Sequence, residues 1–365
     1  MSENATKTPP TKAVPRIERL REFRLPSPVL ALDATPDGSL LLAAGQDGSI
    51  TALDAEAGSP RIVGRHESYA SSVALLPDRR TVISGGYDGT LRWHDLVDGK
   101  ELRVVKAHQF WSWDMAVSAD GRRVATVTGR YEVGGYRYEP APETEPSVKV
   151  FDTTSGELLG AFPHVPPTQA VAVSADGSLV AAGNLMGEVR VWEVGSGRQV
   201  GGWKTDDLTG WGVIKSHHFV GGVFDLTFSP DGNEIYTCGM GPMADPMAGN
   251  GVQRWQRFEW RTGKKLDQTH EGESGQGLME TLEFHPKAGI FVMAGRLFQG
   301  TWNLALFDTA SGKSVFTVDA KHRISHVRFS ADGSRLFVAK VKGQERPKDG
   351  KWSDAGIVEV HSVVT

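Results

Sequence analysis

The sequence predicts an all-β fold, a seven-bladed β-propeller of four-stranded antiparallel blades. Three observations carry this: a recurrent tight-turn signature, an acidic-to-glycine signature that alternates with it, and near-constant spacing between the two. Composition agrees. The 365 residues include 43 Gly and 19 Pro, a share that suits many tight turns, and 39% hydrophobic residues supply a core.

In chain order the first signature reads TPDG at 35–38, LPDR at 76–79, SADG at 118–121, SADG at 174–177, SPDG at 229–232, HPKAG at 285–289 and SADG at 330–333. Asp and Gly tolerate the backbone of a tight hairpin, and each turn follows a short apolar run such as VFDLTF. The second signature, an acid with Gly four residues later, occurs at Asp54/Gly58, Asp95/Gly99, Asp152/Gly156, Glu193/Gly197, Glu259/Gly263 and Asp308/Gly312, closing runs such as VRVWE and VKVFD. Each unit therefore reads strand, turn, strand, loop, strand, turn, strand, and repetition at this period marks a repeat architecture. A lone blade cannot bury both of its faces and an open ring exposes an edge, so the ring must close. The last unit ends in GIVEVHSVV, a third strand without a fourth, while 16–24 (RIERLREFR) precede the first unit. The two ends are expected to pair in blade seven, making 16–365 one propeller. Residues 1–15, polar and proline-bearing, are expected to form a disordered tail.

These turns, together with RVWEVGSG, resemble the WD40-repeat family of β-propellers over roughly 16–365. The family's Trp-Asp pair is eroded: Trp192-Glu193 and Trp255-Gln256 are nearest, and Phe151-Asp152, Phe307-Asp308 and Leu53-Asp54 replace the tryptophan. The resemblance implies a structural tetrad of His, Ser or Thr, Asp and Trp, approached in unit two alone by His66, Ser84, Asp88 and His94. It also implies a non-catalytic scaffold for protein–protein interaction.

Spacing locates the loops. Turn acid and closing acid are 17 residues apart from Asp37 to Asp54, Asp78 to Asp95 and Asp176 to Glu193, but 32 from Asp120 to Asp152 and 28 from Asp231 to Glu259. The extra residues, 130–146 and 240–250, fall between second and third strands, as do 341–355 in unit seven. A further insertion, 204–221, separates an outer strand from the next inner strand. In an antiparallel blade both connection types leave the ring on one face, so the decoration is one-sided. Its loops carry Trp111, Trp113, Tyr136, Tyr138, Trp211 and Trp302, the residue types that interface cores concentrate. These six are the expected anchors for a protein or peptide partner, although long loops also fold aromatics inward to build small cores of their own.

A second candidate is the channel mouth. The inner strands carry Asp33, Asp114, Asp225, Glu283, His326 and Arg328 where other units place Ala or Ser. Asp114, Asp225, Glu283 and His326 suit a cation or a polar small molecule, as in propeller lactonases, or else they accept hydrogen bonds between blades around a wet channel. No catalytic residue, metal or cofactor is otherwise expected. The sequence holds no nucleophile elbow, Cys238 sits in a strand-like run, and His217-His218 and His322/His326 lack further ligands at known spacing. A net charge of −4 provides no field for nucleic acid or anionic membrane. One cysteine and no apolar leader lead to a cytoplasmic expectation, and an exposed aromatic face makes a homo-oligomer reasonable.

Overall fold

The structure, a computed structural model, describes residues 14–134, 137–211, 219–245, 250–269, 277–343, 347–349, 352 and 354–365. Seven four-stranded antiparallel sheets form the blades of the ring. Their inner strands are Val29–Ala34, Ala70–Leu75, Asp114–Val117, Thr168–Val173, Val223–Phe228, Gly277–Phe284 and Arg323–Phe329. Blade seven is completed by Arg16–Leu25, which pairs antiparallel with Gly356–Val364 from Arg16 opposite Val364 to Leu25 opposite Gly356. The chain's two ends thus close the ring as expected.

Middle strands are buried on both faces, as a stack of sheets requires. Leu41, Leu42, Ala43 and Ala44 are all buried, and so are Leu336, Phe337, Val338 and Ala339. The apolar clusters run across blade boundaries: Leu25, Leu32, Leu41 and Phe337 pack together from blades seven and one. Blades five and six share an aromatic layer in which Trp255 meets Phe291 and Phe307 edge-on. Side chains also bridge blades, as where Trp93 donates its indole N–H to the Thr153 carbonyl at 2.8 Å.

The turn chemistry explains the repeated signature. Asp37 Oδ1 accepts from the Thr35 hydroxyl at 2.6 Å and from the Ser39 amide at 3.0 Å, while Gly38 adopts φ +66°. In the LPDR copy Arg79 takes that left-handed conformation with φ 56°, which a side chain disfavours. Arg79→Gly is expected to raise stability by about 1 kcal/mol, read as a higher midpoint in thermal or urea melts. In HPKAG the imidazole replaces the aspartate: His285 Nδ1 accepts from the Lys287 and Ala288 amides at 3.1 and 2.8 Å.

The insertions lie where spacing placed them. Blade three carries a hairpin, Tyr131–Gly134 with Arg137–Pro140, between its second and third strands. Blade five extends its second and third strands, Glu234–Asp245 and Asn250–Glu259, into a long hairpin. Before blade five a short 3-10 turn, Asp206–Leu208, leads into the pair Thr209–Trp211 and Phe219–Gly221.

Candidate functional site

Inner strands start at the expanded face and end at the turn face, so a residue's place along its strand sets its depth in the channel. Asp33 and Glu283 lie four residues before the third position of their turns, and Asp114 and Asp225 lie six before. Every one of these acids reaches the amide one step further along the next blade's inner strand. Asp33 Oδ2 accepts from Leu75 at 2.7 Å, Asp114 Oδ2 from Val171 at 3.0 Å, Asp225 Oδ2 from Leu282 at 2.7 Å and Glu283 Oε2 from Phe329 at 2.7 Å. His326 Nδ1 accepts from the Leu32 amide at 3.4 Å, which leaves its proton on Nε2 when the ring is neutral. Arg328 stands between Asp33, at 2.9 Å, and Glu283, at 3.1 Å.

The polar channel residues are therefore clasps between blades. They line a cavity of about 360 Å³ toward the turn face, and among the described residues no group of three His, Cys, Asp or Glu is placed to hold a metal ion. The electrostatics follow from burial. Desolvation pushes the Asp114 carboxyl up to about 6 and Glu283 up to about 7 against the pull of their hydrogen bonds, and it pushes His326 down to about 4. Cys238 is fully buried beside Asp225, and both burial and that neighbour raise its thiol far from reactivity.

The tetrad of unit two is three-quarters assembled. His66 bonds Asp88 at 3.1 Å through Nδ1 and Ser84 Oγ at 2.9 Å through Nε2. His94 is buried, but its Nδ1 has no hydrogen-bond partner among the described residues, and its ring instead covers Gly64 of blade one. His108 and His164 stand at the corresponding sequence place of blades three and four without making these bonds: His108 lies 4.0 Å from Glu145, and His164 Nε2 is 3.3 Å from the Ala182 carbonyl.

The expanded face carries an aromatic ladder over blades two and three. Trp111 lies flat between Phe110 and Tyr87, with ring centroids 4.7 Å away on either side, and Tyr69 extends the row 5.4 Å beyond Tyr87. Trp113 meets Tyr87 and Trp111 edge-on and donates its indole N–H to the Gly129 carbonyl at 2.9 Å. Arg130 covers Phe110 from 5.8 Å. Trp111 is 39% exposed and Tyr69 37%, so the ladder is held by its neighbours yet reaches solvent. A cavity of about 220 Å³ opens beside it, between Phe110, Arg130, Pro142 and Glu145.

The six expected anchors divide. Trp111 and Trp113 come together in the ladder. Trp302, 7% exposed against Phe307, is a core residue, because its loop folds back over the blade five and six interface. Tyr136 lies outside the described residues, and the description of Tyr138 and Trp211 stops at their backbone in the inserted strands. Tyr69 and Tyr87 are the ladder residues that the sequence reading missed. A signal existed: Tyr69 stands nine residues before Asp78, as Trp111 stands nine before Asp120.

Turns, blades and strand closure define a seven-bladed propeller assembled from repeats. Residues 18–51, 59–95 and 212–241 match the family model described as WD domain, G-beta repeat. The first two matches each begin on one blade's outer strand and end on the third strand of the next, the same offset by which Arg16–Leu25 closes the ring. The chain is a WD40-repeat β-propeller with degenerate repeats. It is similar to apoptotic protease-activating factor 1 of Rattus norvegicus, with 24% identity over 55% of this chain and 17% of that protein. It is also similar to a guanine nucleotide-binding protein subunit beta of Arabidopsis thaliana, 26% identical over 37% of this chain and 34% of the relative. The small ribosomal subunit protein RACK1y of Oryza sativa subsp. japonica is 30% identical over 35% and 36% of the two chains. The chain thus spans about a third or less of the length of each of these relatives. No helix among the described residues is long and apolar enough to cross a membrane.

Proposed function

We propose that this chain is a non-catalytic scaffold that docks a protein or peptide partner on its expanded face. The observation that carries the reading is the solvent-reaching ladder of Tyr69, Tyr87, Phe110 and Trp111, a contiguous aromatic patch of the kind that marks binding surfaces. Trp113, Tyr136, Tyr138 and Trp211 are proposed as the remaining anchors, whereas Trp302, a core residue, is not among them. The interblade hydrogen bonds of the channel acids support a structural role for them over a lactonase-like centre. The single cysteine, Cys238, and the net charge of −4 support a cytoplasmic scaffold without a nucleic-acid or membrane partner.

The test is capture from native lysate with the wild-type chain and a W111A/W211A variant, read by mass spectrometry. The variant is expected to keep its thermal midpoint and to lose a stoichiometric partner by tenfold or more, roughly the effect of one hot-spot residue. Undiminished capture by a folded variant would overturn the reading, and capture of a second copy of the chain would identify the partner as itself.

A further inference from the structure

Asp114 and Asp225 differ from the other channel acids in what faces them. Asp33 and Glu283 share the Arg328 guanidinium, and Glu280 is held by Arg323 in a two-point bridge with contacts of 2.6 to 2.9 Å. Asp114 and Asp225 receive amide N–H groups alone: Val171 and its own neighbour Met115 for the first, Leu282 and Leu226 for the second. Among the described residues neither makes an ion pair. The titratable groups that line the channel with them are Asp33, Glu280, Glu283, His326, which accepts a backbone hydrogen bond, and Arg328, which is engaged by Asp33 and Glu283; Cys238 lies beside Asp225. Both acids line a smaller cavity of about 160 Å³ on the expanded side of the channel, beside Trp113, Phe224, Ser71 and Gln169.

Two carboxyls that line one cavity without an ion-pair partner among the described residues must draw a countercharge from solvent or repel each other. The directions agree. Burial raises Asp114 to about 6, and burial together with Asp114 itself raises Asp225 well above the ordinary carboxylate range. Each acid is next in the chain to an aromatic residue at the cavity rim, Asp114 to Trp113 of the ladder and Asp225 to Phe224.

We propose that Asp114 and Asp225 form a proton-binding pair that sets the aromatic face according to pH. With a proton bound, the pair clasps blade three to blade four and blade five to blade six. Ionised, its repulsion strains those two clasps and shifts Trp113 against Tyr87 and Trp111. The sign follows from the raised carboxyls: this contribution is complete below the ordinary value of 3.8 and is lost as pH rises through about 6 and beyond. The titration stands without any partner. Its consequence for docking rests on the function proposed above.

The experiment is carbon-13 NMR of the full chain labelled at the aspartate carboxyl carbons, run from about pH 5 to about pH 8, with near-ultraviolet circular dichroism on the same samples. Two carboxyl resonances are expected to titrate above the ordinary carboxylate range, the one absent from D114N with a midpoint of about 6 and the one absent from D225N also well raised. The aromatic signal should change over the same range in the wild type and stay flat in D114N/D225N. Asparagine keeps an acceptor for the Val171 and Leu282 amides, so the variants are expected to fold. If a variant fails to fold, the wild-type titration alone decides. Aspartate resonances already ionised and flat across the range would overturn the proposal, as would an aromatic transition that survives in the double variant. A partner lost in W111A/W211A but captured equally at both ends of the range would leave the scaffold standing and remove its pH control.

Discussion

A chain lacking Arg16–Leu25 is expected to lose cooperative folding of the ring. That strand supplies the whole outer edge of blade seven, and its Ile17 and Leu25 are buried in two different interblade clusters. Removing it strips Gly356–Val364 of a ladder, exposes apolar side chains and leaves an open edge of the kind that invites aggregation. Leu25→Ala alone is expected to cost about 2–5 kcal/mol, against about 5–15 kcal/mol for the total stability of an ordinary domain. The deletion should therefore yield a broad, non-cooperative melt or insoluble protein. A sharp thermal transition at the wild-type midpoint would show that the ring closes by other means.

Glu359→Ala is the second large effect. Glu359 receives Arg19 at 3.0 Å across the closing strand, Lys340 at 2.7 Å and His361 at 2.9 Å. The Lys340 side chain is only 6% exposed, so truncating its partner strands a buried ammonium, a loss of roughly 3–5 kcal/mol. The pH dependence has a definite sign. Burial works against ionisation of Glu359, yet hydrogen bonds from His361 and Lys340 prevail and hold the carboxyl down to about 2. Its stabilisation is present above the ordinary value of 4.5 and disappears as pH falls through about 2, opposite to the behaviour of Asp114 and Asp225. Denaturant melts at neutral and acid pH should show the wild type and Glu359→Ala converging as the solution is acidified. An unchanging gap would contradict the role given to this carboxylate.

The architecture was legible because it is written in local chemistry. An Asp that accepts from a hydroxyl two residues before it and an amide two residues after it makes a turn wherever it stands, and five such places, with the LPDR and HPKAG variants between them, fix seven blades. Closure was legible for a related reason: the last unit lacked a fourth strand and 16–24 supplied one. The channel was harder to read. Asp114 looks like a ligand in sequence because its acceptor role is satisfied by Val171, a backbone amide in another blade that leaves no mark of residue type. Loops hid still more. Trp111 and Trp302 both sit in loops of the expanded face, yet one stacks at the surface and the other packs on Phe307, since loop side chains follow no period that separates inside from outside.

The central claim is that the expanded face docks a partner, and amide hydrogen exchange of the chain with and without its captured partner tests it most directly. The account predicts slowed exchange in the connections that carry Tyr69, Tyr87 and 110–113, with the tight turns at 35–38, 118–121 and 174–177 unchanged. Protection concentrated at those turns, on the opposite face of the ring, would contradict it.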